Sequence, residues 1–425
     1  MKEIKPLKNI QASIEVPGSK SITQRALIAA SLAKGDSRLF GPLESDDTRY
    51  TSKALKSMGI KIRRGKKGWK ITGSSGRVVA PEKRIYLGNN GTATRFLTSV
   101  VSLGHGIFTI AGEKRMEERP IKPLMDALAG WGVAIRSIKD TGCPPLEIRA
   151  DGIRGGLTVL PEGKSSQYLS SLLLVAPYAA HRAKLEVRGE VYSKPYVEMT
   201  LRVMRSFGVK VIADDDLSYF EIPRSRYKGR EYQIEGDASS ASYFWAAAAV
   251  TGGSVEVVNV PKNSMQGDTA LVGILEDMGC KVKYTETGIS VSGPEELRGV
   301  EVDMADCPDV VPTLAVVAAR AKGKTLIKNI GHLRIKECDR LHVMATELAK
   351  LGVRTEEGQD SLMIEGRGAK AVLKGARIET YDDHRIAMSF AVAGLFVKGI
   401  EILDEDVVTK SFPDFWERFE RLYEK

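Results

Sequence analysis

The chain of 425 residues is poor in the side chains that most often carry metal, redox or nucleophilic chemistry. Its four cysteines, Cys143, Cys280, Cys307 and Cys338, lie far apart and form no C-x-x-C pair, which argues against a zinc site and against a disulfide framework. The five histidines show no H-E-x-x-H or comparable spacing, so no metal is expected. No uninterrupted apolar run reaches the ~18 residues that crossing a bilayer requires. The longest candidates, Tyr243–Val250 and Leu314–Ala319, have the length of core segments. The opening Met1-Lys-Glu-Ile-Lys-Pro6 lacks the apolar stretch of a secretory leader and the Arg- and Ser-rich, acid-poor character of a transit peptide. A cytoplasmic protein with no membrane association is the expectation.

Nucleotide signatures are missing as well. Gly18-Ser-Lys-Ser21 interposes a serine between Gly and Lys, and Gly323-Lys-Thr325 has Ala318 where a P-loop needs its leading glycine. No G-x-G-x-x-G follows a strand-like run, so a dinucleotide fold is unsupported and no cofactor is expected. The formal charge of +9 could suit nucleic acid, yet the basic residues are scattered and not interleaved with aromatics. Their one cluster, Arg63-Arg64-Gly-Lys66-Lys67, falls between Ile60-Lys-Ile62 and Trp69-Lys-Ile71 and reads as a solvated hairpin tip. An acidic small molecule explains the imbalance better than DNA or RNA does.

What the chain does contain is a repeat. Six short turns rich in Gly, Ser, Asn or Asp run straight into apolar helix-like stretches. They are Gly18-Ser-Lys-Ser-Ile-Thr-Gln-Arg25, Gly88-Asn-Asn-Gly-Thr-Ala-Thr-Arg95, Gly163-Lys-Ser-Ser-Gln-Tyr-Leu169, Gly236-Asp-Ala-Ser-Ser-Ala-Ser242, Asp306-Cys-Pro-Asp-Val-Val311 and Tyr381-Asp-Asp-His-Arg385. Their starts at 18, 88, 163, 236, 306 and 381 are separated by 70, 75, 73, 70 and 75 residues, a period of about 73 used six times. A second landmark keeps the same beat: Leu55–Gly59, Leu128–Gly132, Met204–Gly208, Leu275–Gly279 and Leu348–Gly352 each read as a helix ending on glycine before a β-like run. Two helices and several strands therefore recur per repeat, and 425 residues divide naturally into two domains of three repeats.

Helix starts carry free backbone amides and bind anions. Ser, Asp and Asn there can equally be ordinary N-caps, and nearby charge separates the two readings. Lys20 and Arg25 follow the first turn, Arg95 the second, and Asp383, His384 and Arg385 the sixth, whereas Asp237-Ala-Ser-Ser-Ala241 has no cation. In the second turn Gly91 allows backbone amides to approach a ligand closely. Lys114-Arg115-Met-Glu-Glu-Arg119-Pro-Ile-Lys122 places four cations before a helix, against its macrodipole. Lys336 and Arg340 read as like charges one helical turn apart, relieved by Glu337 or by an anion. Asp309 precedes the apolar run Thr313–Ala319, and Lys410 closes the last repeat. Two carboxylates among many cations, with no Ser-His-Asp order, suit binding of two polyanions with acid/base chemistry between them.

Taken together with Arg115-Met-Glu-Glu-Arg-Pro120, Ser165-Ser-Gln167, Ser193-Lys-Pro-Tyr196, Glu235-Gly-Asp-Ala-Ser-Ser240, Arg334-Ile-Lys-Glu-Cys-Asp-Arg-Leu341, Asp382-Asp-His-Arg385 and Lys410-Ser-Phe-Pro-Asp414, the first two turns resemble the motif set of the 5-enolpyruvylshikimate-3-phosphate synthase family. The motifs occur in family order and span nearly the whole chain. The resemblance implies an α/β fold of two domains, an inside-out α/β barrel of six βαβαββ repeats. Domain one would comprise residues 1–15 and 235–425, domain two residues 16–234, with the active site in the cleft between them. The implied reaction moves the enolpyruvyl group of phosphoenolpyruvate onto the 5-hydroxyl of shikimate 3-phosphate through a tetrahedral ketal, releasing phosphate. Carried over motif by motif, Lys20, Gly91, Arg115, Gln167, Arg340, Arg385 and Lys410 would hold phosphoenolpyruvate. Lys20, Ser21, Arg25, Ser165, Ser166, Gln167, Ser193, Asp309 and Lys336 would hold shikimate 3-phosphate. Glu337 and Asp309 form the implied acid/base pair, with Lys20 as a third candidate, in a monomer that needs only these small molecules.

Three positions depart from one branch of the family. His332 stands where that branch has an Asn contacting the shikimate substrate, Phe96 where it has Pro, and Asn90 where it has a small residue beside Gly91. The sister activity, enolpyruvyl transfer to UDP-N-acetylglucosamine, typically uses a reactive Cys on the loop that here reads Glu113-Lys-Arg-Met-Glu-Glu118, and that Cys is absent. A non-catalytic anion-binding repeat protein would account for the helix starts but not for carboxylates set among cations.

Overall fold

The computed structural model describes every residue except Lys66, Lys164 and Lys425. Lys66 of the basic cluster and Lys164 of the third turn thus lie outside the described residues. Two compact units emerge: Met1–Gly18 with Glu235–Lys425, here the terminal unit, and Ser19–Ile234, here the inserted unit.

One repeat of the inserted unit shows the rule. Strand Ile85–Tyr86 leads into helix Gly91–Val101, strand His105–Ala111, helix Lys122–Gly130 and the strands Ala134–Ser137 and Leu146–Asp151. The first two strands pair in parallel, Ile85 opposite Ile110. The last two form an antiparallel ribbon whose second member, Leu146–Asp151, lies beside His105–Ala111 and leaves Ala134–Ser137 at the edge. The same order, first-second-fourth-third, recurs in five four-stranded sheets. The first strand is not always local. In the inserted unit Glu231–Gln233 pairs back with Asp36–Phe40, and in the terminal unit Gln11–Ile14 pairs with Ser254–Val257. The sixth sheet has three strands: Arg377–Ile378 and Ile400–Ile402 lie parallel, and Lys2–Ile4 takes the place of the missing ribbon.

The helices fall into two kinds. Those that follow the six polar turns are apolar nearly all round. Every residue of Ala238–Thr251 and of His384–Gly394 is buried, and in Gly91–Val101 all but Thr92 are. A helix without a polar face belongs inside a core. In each unit three of them pack on one another: Lys20–Leu32, Gly91–Val101 and Ser166–Val175 in the inserted unit, and Ala238–Thr251, Val311–Arg320 and His384–Gly394 in the terminal unit. Strands such as Leu146–Asp151 alternate buried and more exposed residues, turning one face to this helical centre. The second helix of each repeat is amphipathic and buries one side, as Asp46–Ser57 does with Ala54 and Leu55. Gly59, Gly132, Gly208, Gly279 and Gly352 follow these second helices with φ of 91°, 86°, 88°, 110° and 79°, the left-handed conformation expected of them. No helix among the described residues is long and apolar enough to cross a membrane.

This architecture carries the polar turns to the N-termini of buried helices. Side chains there are screened from water and packed by neighbouring repeats. Arg63 and Arg64, by contrast, lie in strand Lys61–Gly65, which pairs with Gly68–Thr72 as a hairpin.

Candidate active site

In the inserted unit the centre of the motif residues is Arg25. It lies one turn inside helix Lys20–Leu32, which Ser19 caps by accepting from the Ile22 amide, and it is 2% exposed. Its Nε donates to Thr200 Oγ1 at 2.7 Å, Nη1 to the Ser21 carbonyl at 3.0 Å, and Nη2 to Ser170 Oγ at 3.2 Å and the Tyr196 carbonyl at 3.0 Å. All four partners are neutral. The guanidinium also stands over the rings of Phe96 and Tyr196, at 5.2 and 5.9 Å, so the departure at Phe96 supplies a face for the cation. Burial pushes Arg25 down to about 10, still charged at neutral pH. It makes no ion pair with any described residue, and a buried cation among neutral oxygens is poised for an anion.

The first two turns are tied together by Asp47. Its carboxylate lies 3.4 Å from Lys20 Nζ and its carbonyl accepts from Asn90 Nδ2 at 2.8 Å, while Asn90 Oδ1 caps helix Gly91–Val101 through the Ala93 amide. Gln167 reaches the same turn, donating to Thr92 Oγ1 at 3.2 Å. Ser165 stands at the N-cap position of helix Ser166–Val175 without a side-chain capping bond, and Ser166 is buried at the start of that helix. Ser193, buried at the start of helix Lys194–Ser206, holds φ at 56°, a strained value for a residue with a Cβ. Gly91 is needed for space. A Cβ there would lie 2.5 Å from Arg119 Nη2 and 2.6 Å from Arg95 Nη1, so two guanidinium groups crowd its Cα.

The terminal unit is organised around Arg340, the first residue of helix Arg340–Lys350, whose Asp339 cap accepts from the His342 amide. Arg340 is 1% exposed and held by three carboxylates from three segments. Nε donates to Asp383 Oδ2 at 2.7 Å, Nη1 to Asp309 Oδ1 at 3.1 Å, and Nη2 to Glu337 Oε2 at 2.9 Å and Asp383 Oδ1 at 3.2 Å. Arg385 joins from the sixth turn, with Nη2 on Asp309 Oδ2 at 2.6 Å and 3.4 Å from Ser239 Oγ. Asp383 also caps helix His384–Gly394 through the Arg385 amide. The three carboxylates hold Arg340 far above the usual guanidinium range in spite of its burial. Their exposure differs: Asp383 is fully buried, whereas Asp309 and Glu337 keep 19% and 10% of their side chains accessible. Two of the three acids can therefore face a ligand. His332 is pushed down to about 3 by burial, with Lys336 adding to the effect, and is a neutral imidazole at pH 7.

The sequence expectations meet this geometry unevenly. Asp309, Glu337, Arg340 and Arg385 share one network, and Lys20, Gly91, Gln167 and Arg25 meet around the turns of the inserted unit. Lys336 and Lys410 are half-buried at the ends of the 3-10 turns Gly331–Ile335 and Glu405–Lys410. Lys336 is extended and precedes the helix, so it and Arg340 are not one helical turn apart; Glu337 meets Arg340 directly. The cations of Lys114–Lys122 largely answer to local acids, Arg115 to Glu118 at 2.9 Å and Lys122 to Asp126 at 2.7 Å. Arg115 keeps 34% of its side chain exposed, and the buried cation of that loop is Arg119, donating to Asn89 Oδ1 at 3.1 Å. Sequence reasoning gave Arg119 no role, although Pro120 after it was a sign of a rigid, inward-turning loop. It also passed over Asp268, a buried acid beside Ser239.

Comparison with known proteins gives the family and the fold. Residues 4–419 match the family model described as EPSP synthase (3-phosphoshikimate 1-carboxyvinyltransferase). A protein of that name from Syntrophobacter fumaroxidans is 44% identical over 426 residues, covering 99% of each chain. One from a Sulfurovum species is 42% identical over 423 residues, covering 99% of this chain and 98% of the other. Among solved structures, EPSP synthase from Acinetobacter baumannii superposes with a TM-score of 0.82 at 29% identity over 99% of this chain and 97% of that one. The enolpyruvyl transferase NikO from Streptomyces tendae shares the fold, with a TM-score of 0.79 at 17% identity over 99% of this chain and 97% of that one.

Proposed function

We propose how these residues work from one premise: the chain belongs to the EPSP synthase family, 3-phosphoshikimate 1-carboxyvinyltransferase. Its fold is the two-domain α/β fold of the enolpyruvyl transferases. Its activity is transfer of the enolpyruvyl group from phosphoenolpyruvate to the 5-hydroxyl of shikimate 3-phosphate, a step of aromatic amino acid biosynthesis. The substrates are small anions, and we take the protein to act as a cytoplasmic monomer.

The chemistry needs a proton donor at the methylene carbon of phosphoenolpyruvate, a base at the attacking hydroxyl, and cations for a carboxylate and two phosphates. In our reading Arg25, with Ser21, Ser165, Ser166 and Ser193, receives the phosphate of shikimate 3-phosphate. The neutral surroundings of Arg25 support this, because the guanidinium has no carboxylate to neutralise it. Lys20, Gly91, Arg115, Gln167 and Lys410 serve the phosphate of phosphoenolpyruvate, and Arg340 with Arg385 its carboxylate.

Glu337 gives its proton to the methylene carbon, C2 takes up the electron deficiency, and the 5-hydroxyl attacks C2 while Asp309 accepts its proton. Elimination reverses the first transfer: Glu337 removes a proton from the new methyl group, the double bond reforms, and phosphate leaves with its C–O electron pair. The observation that carries this assignment is the unequal exposure of the three acids on Arg340, which leaves only Asp309 and Glu337 accessible. A substrate anion beside them raises their proton affinity, as a donor carboxyl requires. Lys20 remains the third candidate for proton transfer. Phosphate release with phosphoenolpyruvate tests the reading, with shikimate 3-phosphate and UDP-N-acetylglucosamine as rival acceptors. Turnover is expected with the first alone, and faster turnover with the second would refute the assignment.

A further inference from the structure

Asp268 has no part in that assignment, yet the fold holds it close to the reacting acids. It sits in the 3-10 turn Gly267–Thr269 and is 3% exposed. The preceding Gln266 locks this turn against the start of helix Ala238–Thr251. Its Oε1 accepts from the Ala238 amide at 3.0 Å, and its Nε2 donates to the Gly236 carbonyl at 2.7 Å and to Glu235 Oε1 at 3.0 Å. Ser239 is thereby set against Asp268, and their side chains are hydrogen-bonded through Oγ and Oδ2. The same Oγ lies 3.4 Å from Arg385 Nη2, which donates to Asp309 Oδ2 at 2.6 Å. An ionised carboxylate only accepts, so the Ser239 hydroxyl donates to Asp268 and offers its lone pairs to Arg385.

We propose that Asp268 is a positioning residue of the reaction: through Ser239 it fixes Arg385 on Asp309 and sets how readily Asp309 takes up and releases its proton. This rests on Asp309 being the base assigned above. Asp268 and Asp309 share one guanidinium, and a charge on either raises the proton affinity of the other. Burial first, then the Asp309 charge, pushes Asp268 up to about 7, against the pull of Arg385 and of the Ser239 hydrogen bond. The other groups facing this turn are Asp237 and Glu235 at the start of helix Ala238–Thr251 and Cys307 before helix Val311–Arg320. Burial, aided by the surrounding acids, keeps the Cys307 thiol neutral.

The test is the pH profile of kcat/KM for phosphoenolpyruvate at saturating shikimate 3-phosphate. Asp268, held at about 7, keeps its proton over the acidic range and loses it as the pH rises through neutrality, where its charge raises the proton affinity of Asp309 and competes for Arg385. The parent profile should therefore bend near pH 7, and Asp268→Asn, which cannot ionise, should lose that bend. Ser239→Ala takes away the donor that favours the Asp268 charge, so the bend should move to higher pH, and KM for phosphoenolpyruvate should rise more than kcat falls. A purely structural contact would lower the unfolding temperature and leave the bend in place. A bend that stays at its parental pH in either folded variant overturns the proposal, and should Asp268→Asn lack a cooperative unfolding transition, Ser239→Ala decides alone. Asp309→Asn is the control: near-normal kcat there would overturn the assignment of Asp309 itself, and the present proposal with it.

Discussion

Replacing Arg25 with Met separates binding from stability, because the structure gives the two effects opposite signs. Burial lowers the guanidinium to about 10, roughly two and a half decades in proton affinity, which corresponds to a cost of about 3 kcal/mol for keeping it charged in the unliganded protein. The folded value lies below the unfolded one, so this cost is fully present below about pH 10 and is relieved only at higher pH. Met removes the charge and keeps much of the volume. The groups left behind keep other partners: Thr200 Oγ1 donates to the Tyr196 carbonyl at 2.9 Å and lies 2.8 Å from Ser170 Oγ. The carbonyls of Ser21 and Tyr196 also keep their helical amides. The unliganded Arg25→Met protein should therefore unfold at a urea midpoint equal to or above that of the parent. Its KM for shikimate 3-phosphate should rise by about 100-fold, the value of a lost charge-assisted contact of roughly 3 kcal/mol. Chemical denaturation and steady-state phosphate release measure both. A midpoint that falls sharply while KM stays constant would show that Arg25 clamps the fold and does not receive the phosphate.

Glu337→Gln keeps the shape of the side chain and removes its proton, so kcat should fall by ~100-fold or more, and a near-normal kcat would take Glu337 out of the mechanism. Gly91→Ala puts a methyl group 2.5 to 2.6 Å from the guanidinium groups of Arg119 and Arg95. Both must shift, and KM for phosphoenolpyruvate should rise several-fold with less effect on shikimate 3-phosphate; an unchanged KM would make Gly91 a turn residue only. His332 is neutral throughout the working range, since burial holds it at about 3. His332→Asn should therefore leave both limbs of the pH profile in place, and a displaced limb would mean that the imidazole titrates in the reaction.

The repeat was legible because each copy marks itself twice, with a polar turn at the start of one helix and a left-handed glycine at the end of the next. Both are local demands of helix ends, so they show in local sequence. The strands that open each repeat were not legible. Ile85–Tyr86 and Arg377–Ile378 have two residues each, too few for a period of two to register. Nor does anything near Lys2–Ile4 announce that it pairs with Ile400–Ile402 and stands in for the ribbon that the sixth repeat lacks. Such pairings are fixed by tertiary packing and leave no periodic trace.

In the site, the sequence displayed the cations but not their partners, and the partners decide what each cation does. Arg25 and Arg340 both fall in motif segments at helix starts and both are buried, yet one is surrounded by neutral oxygens and the other by carboxylates from positions 309, 337 and 383. No spacing rule reaches across such distances. Asp268 was harder still, since Gln-Gly-Asp before an apolar helix reads as an ordinary cap. The difference between the two arginines has a chemical consequence. An anion approaching Arg25 meets a charge that nothing else neutralises, so it is held without cost to its neighbours. An anion approaching Arg340 must share it with three acids, and the added negative charge raises the proton affinity of whichever of them is accessible. In the proposed assignment, an anion bound at Arg340 turns a carboxylate into a proton donor at the moment a proton is needed, so the acid-saturated arginine suits the carboxylate of phosphoenolpyruvate and the unneutralised one the phosphate of shikimate 3-phosphate.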